Sequence, residues 1–474
     1  MSILSSLFGN KAANKSLLSR DKIINMLQTS PEKLAEFEAY YQTQVLPNLE
    51  PDIDNMFNVN AKQATAMSKQ ENLLSSDDID KMVNNIVNEL LTKTDTWCYD
   101  RCDPESNNNI RHLDVTNTTQ VTLEEINSLP KELQPQLTGS LMCADIPHES
   151  GPSLLFMLKK MQETKNPNTK RDLYHHFRQG LDILDLDPIT YEMIGTNQNS
   201  MGHWLPQLIT ANTDKNFFQI PSTTIVKVPL TLLQLTRNEF GSLTPTTKAI
   251  VNQWAIKAFG LNPEQDYFVK TGTYSSKFDF RNCRVCDPKE VLEIGEYLLY
   301  IHFSALQMAS PLCTPCIYGV STTNEWVVRE YIPDKENNPV IYKGLPLHTE
   351  YRVFIDCDTN EILGVQPYWE PETMKKRFDE HRDGHDEHDA IVYRAYENTL
   401  MARYYENVDT VLFRTKELLQ DLHLSGQWSL DIMQNGDEFW LIDMALAENS
   451  AGYDKVVDPA LRHPRTENWL PVIK

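Results

Sequence analysis

Apolar positions change period near residue 200, and the change divides the chain. Before it the spacing is helical. Leu34, Phe37 and Tyr41 follow Thr29 and Glu32, which have capping-box spacing with Pro31 in the first turn. Ile79, Met82, Ile86 and Leu90 form a second stripe, the pattern of a helix with one buried face. Residues 1–15 are polar and read as a disordered tail. Between Cys98 and about Gly180, turn material such as DPESNNN alternates with short helical stretches such as GPSLLFMLKKMQ, without a repeat period. The spacing predicts a mainly helical region over 16–200.

From about Met201 two-residue alternation takes over. TTIVKVPL, DYFVK, EWVVREYI, EYRVFIDC, EILGVQPYW, WSLDIM and EFWLIDMAL read as strands, with helices predicted at 246–260, 288–309 and 390–421. This order of elements is that of an α+β domain over 201–474.

The chain has 66 acidic and 44 basic residues and a formal charge of -22, which disfavours nucleic acid as a partner. No apolar run approaches the ~20 residues of a membrane span, and the N-terminus lacks a signal-peptide pattern, so a cytoplasmic protein with no membrane partner is expected. In that setting the eight cysteines read as free thiols or metal ligands rather than disulfides.

Chemistry gathers in the second half. In DYFVKTGTYSSKFDF a strand delivers Lys270 into a loop holding Gly272, Ser275, Ser276 and Lys277. Small residues, hydroxyls and two ammonium groups suit a loop over phosphates, and equally an exposed loop with solvated lysines. WVVREYI reads as a strand crossing from one lobe to another, with Val327 and Val328 inward and the backbone of Glu330, Tyr331 and Ile332 available to a base; a plain buried strand is the alternative. In TEYRVFID the two-residue period puts Glu350, Arg352 and Phe354 on one face, so Arg352 either pairs with Glu350 or faces a phosphate beside it.

WSLDIMQNGDEFWLIDMALAEN is a hairpin around Asn435-Gly436, and each apolar strand carries one acid, Asp431 and Asp443. Buried singly as ions these would each cost several kcal/mol, which points to a shared cation. Register decides whether they meet. A two-residue turn at 435–436 pairs 431 with 440 and separates the acids; a three-residue loop over 435–437 with a bulge pairs 431 with 441 and 429 with 443, and puts both on one face.

The ordered set of lysine and Ser/Gly loop, linker strand, E-x-R strand and acid-bearing hairpin resembles the ATP-grasp superfamily. More narrowly, GHWLPQL with FFQIPSTTIVKVPL, YFVKTGTYSSKFDF, VVREYIP, TEYRVFID with ILGVQPYW, and LDIMQNGDEFWLIDM resemble the eukaryotic cell-division-cycle family that helps assemble translation initiation factor two, over about residues 203–445. A resemblance to uncharacterised bacterial and phage-borne ATP-grasp proteins is also seen. The resemblance implies an ATP-grasp fold, two α+β subdomains sandwiching ATP with Mg2+, behind a mainly helical N-terminal extension. It implies Lys270 on the α and β phosphates, Ser275, Ser276 and Lys277 in the covering loop, and Lys227 as a further phosphate contact. Glu330, Tyr331 and Ile332 would meet adenine, Arg352 the γ-phosphate with Glu350 beside it, and Asp431 and Asp443 the metal. Where the family has a metal-binding Asn, this chain has Ala445, with Glu448 or Asn449 as replacements.

Cys283, Cys286, Cys313 and Cys316 form two CxxC pairs separated by residues 287–312, a set for structural zinc or four free thiols; Cys98 and Cys102 make a weaker pair. DEHRDGHDEHD carries His381, His385 and His388 and reads as a solvated loop or a lid. The functions that follow are an ATP-dependent carboxylate–amine ligase, with Arg352 and Lys270 steadying the transferring phosphoryl and a carboxylate and an amine as substrates, or an ATP-binding assembly factor with a protein client. A lysine-adenylating RNA or DNA ligase is a third, but K-x-[DN]-G is absent; a protein kinase is less favoured again, since no H-R-D-type catalytic loop precedes a D-F-G.

Overall fold

Every segment with strand periodicity after residue 201 forms a strand, and the strands assemble into two mainly antiparallel sheets. This computed structural model describes residues 76–103, 110–111, 163–170, 197–213, 217–237, 243–309, 322–380 and 386–463, with scattered positions between 173 and 195 and at 215 and 241. The predicted tail, the Thr29–Glu32 capping box, the GPSLLFMLKKMQ stretch, Cys313, Cys316, His381 and His385 lie outside the described residues.

The larger sheet contains β1 (Asp95–Tyr99), β2 (Ile110–Arg111), β4 (Thr223–Lys227), β5 (Tyr267–Thr271), β6 (Arg284–Val285) and β7 (Glu325–Glu330), in the order β2-β1-β4-β7-β5-β6. The second contains β3 (Phe218–Gln219), β10 (Glu350–Asp356), β11 (Glu361–Pro367), β12 (Gln427–Asn435) and β13 (Glu438–Leu446), ordered β11-β10-β12-β13-β3, with only β3 parallel to its neighbour. A small hairpin, β8 (Val340–Ile341) with β9 (Leu345–Pro346), lies between β7 and β10 in the chain.

Residues 76–99, read from periodicity as belonging to a separate helical region, contribute directly to the larger sheet. Helix α1 (Ser76–Thr92) buries Val83, Ile86, Val87 and Leu90, and β1 pairs with β4 from Asp95↔Lys227 to Tyr99↔Thr223. Helix α2 (Met201–Asn212) follows, then α3 (Pro245–Phe259), which shows its sequence signals plainly. Thr244 Oγ1 accepts from Thr247 N at 3.1 Å, Pro245 opens the first turn, and Gly260 at φ +62° closes the end in the left-handed region that glycine tolerates.

Helices α1 and α4 (Ile294–Ala309) pack on α3, and Trp254 meets Trp326 of β7 edge-to-face at 5.7 Å, filling the back of the larger sheet. Helix α5 (Pro371–Glu380) precedes the long α6 (Asp386–Leu419), which backs the second sheet through Tyr404 stacked on Tyr351 at 5.2 Å. Both sheets are thus covered on one face, and their other faces meet at a cleft. Among the described residues no helix is long and apolar enough to cross a membrane.

Candidate functional site

The β12–β13 hairpin adopts neither register expected from its sequence. Asn435 pairs with Glu438, so the turn is Gly436-Asp437, one residue further along, with Gly436 at φ +65°. The reason is side-chain chemistry. Asn435 is fully buried, donates to Pro333 O at 2.9 Å and accepts from Lys335 N at 3.0 Å, which holds it in the strand. The pairing then runs to Ile432↔Leu441, Ile442 bulges, and Asp431 falls opposite Asp443. One extra residue reverses the parity of everything beyond it, and so both acids share the cleft-facing side.

β10 extends this row, with Arg352 opposite Asp431. Arg352 Nε and Nη2 donate to the two carboxylate oxygens of Asp431 at 2.8 and 2.7 Å. The partner of Arg352 is therefore an acid from a distant strand rather than Glu350 two residues away. Glu350 is buried at 5% exposure; Oε1 accepts from Trp369 Nε1 at 3.1 Å, and Oε2 has no hydrogen-bond partner among the described residues. Burial pushes its pKa up to about 7, with Lys277 pulling the other way.

The larger sheet supplies the facing wall. Phe268, Arg329 and Thr223 form one cross-strand row, and Lys270 stands in the next row on the same face. Lys270 is 3% exposed, and its Nζ donates to Asp443 Oδ1 at 3.0 Å. Burial lowers its pKa while Asp443 opposes the shift. Lys277 reaches in from the loop, its Nζ 4.1 Å from the Tyr368 ring centre. Burial works against the Lys277 charge, but Tyr368, Glu350 and Asp431 outweigh it and hold the pKa above the ordinary lysine value.

Between the walls is a cavity of about 120 Å3, lined by apolar Phe268, Phe280, Ile332, Leu345 and Met433 and by Lys270, Ser275, Lys277, Glu350 and Asp443. Neither Asp431 nor Arg352 is on the cavity wall; the two pair with each other beside it, Asp431 opposite the lining residue Asp443.

Several predicted residues are placed differently from expectation. Lys227 does not line the cavity; its Nζ lies 5.4 Å from the Tyr191 ring centre. Ser276 takes a left-handed φ of 54° at the start of the 277–282 turn, and its Oγ accepts from Asn282. A Cβ on Gly272 would overlap Ser200 Oγ and lie 2.6 Å from Thr323 Oγ1, so this glycine is required by packing. The linker backbone is partly committed, since Glu330 N donates to Ser222 O at 2.8 Å and Tyr331 N to Asp266 O at 3.2 Å. Asn449 Oδ1 accepts from Asn199 Nδ2 at 3.0 Å, and neither Glu448 nor Asn449 lines the cavity. Ala445 lies opposite Ser429. Cys283 is a buried thiol whose Sγ donates to Phe280 O at 3.4 Å and whose pKa burial raises, whereas Cys286 is exposed. His388 is paired with Asp389 at 3.1 Å.

Two cations escaped the sequence reading. Arg101 grips Glu330 through Nε at 2.9 and 2.8 Å and reaches over Trp440 at 5.5 Å, bridging the two sheets. Arg329 lines the cavity and is 4% exposed. The signal for it was present, an Arg within an apolar strand, the same anomaly that singles out Arg352.

No protein-family model matches the chain, and no curated protein matches it. Among solved structures, C-terminally truncated Cdc123 from Schizosaccharomyces pombe is similar at 14% identity and a TM-score of 0.32, over 55% of this chain and 89% of that one. Cdc123 from the same organism is similar at 13% identity and a TM-score of 0.29, over 54% of this chain and 86% of that one. Likeness at these scores fixes neither fold nor activity.

Proposed function

We propose that the cleft binds ATP with Mg2+ in an ATP-grasp arrangement, and that the chain acts as an ATP-binding assembly factor for a protein client. The observation that carries the nucleotide reading is one largely apolar cavity walled by Lys270, Lys277 and Asp443, with the Arg352–Asp431 pair set next to it by the pairing of Asp431 with Asp443. The cavity is roughly ten times what one water molecule needs, room for a fused ring but not for a whole nucleotide. The base would sit between Phe268 and Met433, with Ile332 N–H as the linker donor left for it, and the phosphates would lie toward Lys270 and Lys277.

Asp431 and Asp443, opposite each other across the ladder, are hard oxygen donors of the kind Mg2+ takes and are the residues that would hold it. Bound there, the ion supplies charge neutralisation for the phosphates. Arg352 and Lys270 hold these carboxylates in the free protein and are the cations best placed to turn to phosphate oxygens.

Assembly rather than ligation is favoured by the metal set. Ala445 offers no donor and Asn449 is engaged by Asn199, which leaves two side-chain carboxylates, enough for one Mg2+ but not for the second ion of a two-metal phosphoryl-transfer site. The motif order, which resembles that of the cell-division-cycle assembly factors, supports the same reading. A carboxylate–amine ligase is the second reading, favoured by Arg352 and Lys270 on either side of the acid pair. Adenylation of Lys270 has least support, because its ammonium is paired with Asp443. Incubation with labelled ATP and Mg2+ separates these. Retained ATP without turnover supports the assembly factor, ADP and phosphate release the ligase, and a covalent AMP adduct the third; absence of any ATP binding ends the nucleotide reading.

A further inference from the structure

Arg329 is a buried cation whose guanidinium is held from both sides of the cleft. Nε donates to Thr223 Oγ1 of the larger sheet at 3.0 Å, and Nη1 donates to Ile442 O of the second sheet at 2.5 Å. Ile442 is the bulge residue of β13. The residue that turns Asp443 toward Asp431 therefore also presents its carbonyl to Arg329, a carbonyl that the irregular ladder leaves available. The third nitrogen, Nη2, is buried and has no hydrogen-bond partner among the described residues, in a side chain that lines the cavity.

The surroundings make that unpaired nitrogen informative. No carboxylate lies within ion-pair distance of Arg329 among the described residues. The nearby acids, Asp443 and Glu330, are engaged by Lys270 and Arg101. Burial lowers the Arg329 pKa to about 10, so the group is still a cation at neutral pH. A buried charge with an unmet donor is costly unless something meets it, and a guanidinium fixed at two nitrogens with a third free is preorganised for an anion.

We propose that Arg329 is an anion anchor, its Nη2 donating to a phosphate oxygen of the bound nucleotide. Its position fits, directly before the linker residue Glu330 and beside Asp443, between the ends where base and metal are assigned. This rests on the nucleotide reading and adds to it a binding residue fixed by the bulge.

The test compares ATP, ADP and adenosine by titration calorimetry in the wild-type chain, Arg329→Met and Arg329→Lys. Loss of a charge-assisted hydrogen bond weakens ATP and ADP about 10- to 100-fold in Arg329→Met. Adenosine, which has no phosphate, binds within twofold of wild type. Arg329→Lys keeps the charge without the fork and falls between; it carries the comparison if the Met variant does not fold. Equal loss for adenosine and ATP makes Arg329 a packing residue and overturns the proposal, as does unchanged ATP affinity. If the wild-type chain binds neither ATP nor adenosine, the nucleotide reading itself has failed.

Discussion

Asp431→Ala removes one half of a bidentate pair that has little contact with water. Side-chain exposures are 13% for Arg352 and 6% for Asp431. The change deletes the 2.8 and 2.7 Å hydrogen bonds. What remains to the guanidinium is a 3.4 Å bond to Ala451 O and the Tyr368 ring at 4.5 Å, neither of which neutralises it. Breaking a buried pair from one side costs about 3–5 kcal/mol, because the surviving charge stays desolvated and unmatched. Replacing both members with apolar residues, Arg352→Met with Asp431→Leu, removes two desolvation penalties together with the attraction and is close to neutral. Urea unfolding of the single variant, the double variant and the wild type measures this. The single loses about 3–5 kcal/mol and the double lies within about 1 kcal/mol of wild type. A single variant costing under about 1 kcal/mol, or a double as unstable as the single, refutes the reasoning.

Glu350 gives a pH signature. Burial holds its carboxyl pKa up at about 7 in the fold against the ordinary 4.5 of a solvated glutamate, so between those limits the folded chain keeps a proton that the unfolded chain has lost. Stability therefore falls as pH rises through that window, by roughly 3 kcal/mol at most, and Glu350→Gln flattens the fall; an unchanged slope in the variant counts against the assignment. Gly272→Ala drives a methyl into Ser200 and Thr323 and lowers stability by about 1–3 kcal/mol in thermal melts, whereas a neutral effect would show that this strand end yields freely. In native protein an aromatic disulfide reagent labels exposed Cys102 and Cys286 but not buried Cys283 or Cys357; peptide mapping reads the result, and rapid modification of Cys283 would contradict its burial.

How much of this was legible in the chain depended on range. The strands and long helices after residue 201 are local patterns, and their positions matched closely, 438–446 for EFWLIDMAL and 245–259 for the helix predicted at 246–260. The hairpin register was not legible, because the side chain of Asn435 is held by Pro333 and Lys335, about a hundred positions away. The same limit hid the role of β1, whose partner strand begins at Thr223. At the site, periodicity placed Glu350 and Arg352 on one face correctly, but only the sheet order shows that the acid facing Arg352 is Asp431. Arg329 carries a local signal, a cation beside Val327 and Val328 in an apolar strand, but its partners Thr223 and Ile442 lie about a hundred positions away on either side.

The most direct test of the paired acids is crystallographic, with Mn2+ in place of Mg2+ and a non-hydrolysable ATP analogue. An anomalous peak bridging Asp431 and Asp443, with Lys270 and Arg352 turned from those carboxylates to phosphate oxygens, is the predicted result. An analogue bound in the cleft with no metal at these two residues, or a peak elsewhere with both carboxylates still held by Arg352 and Lys270, would contradict it.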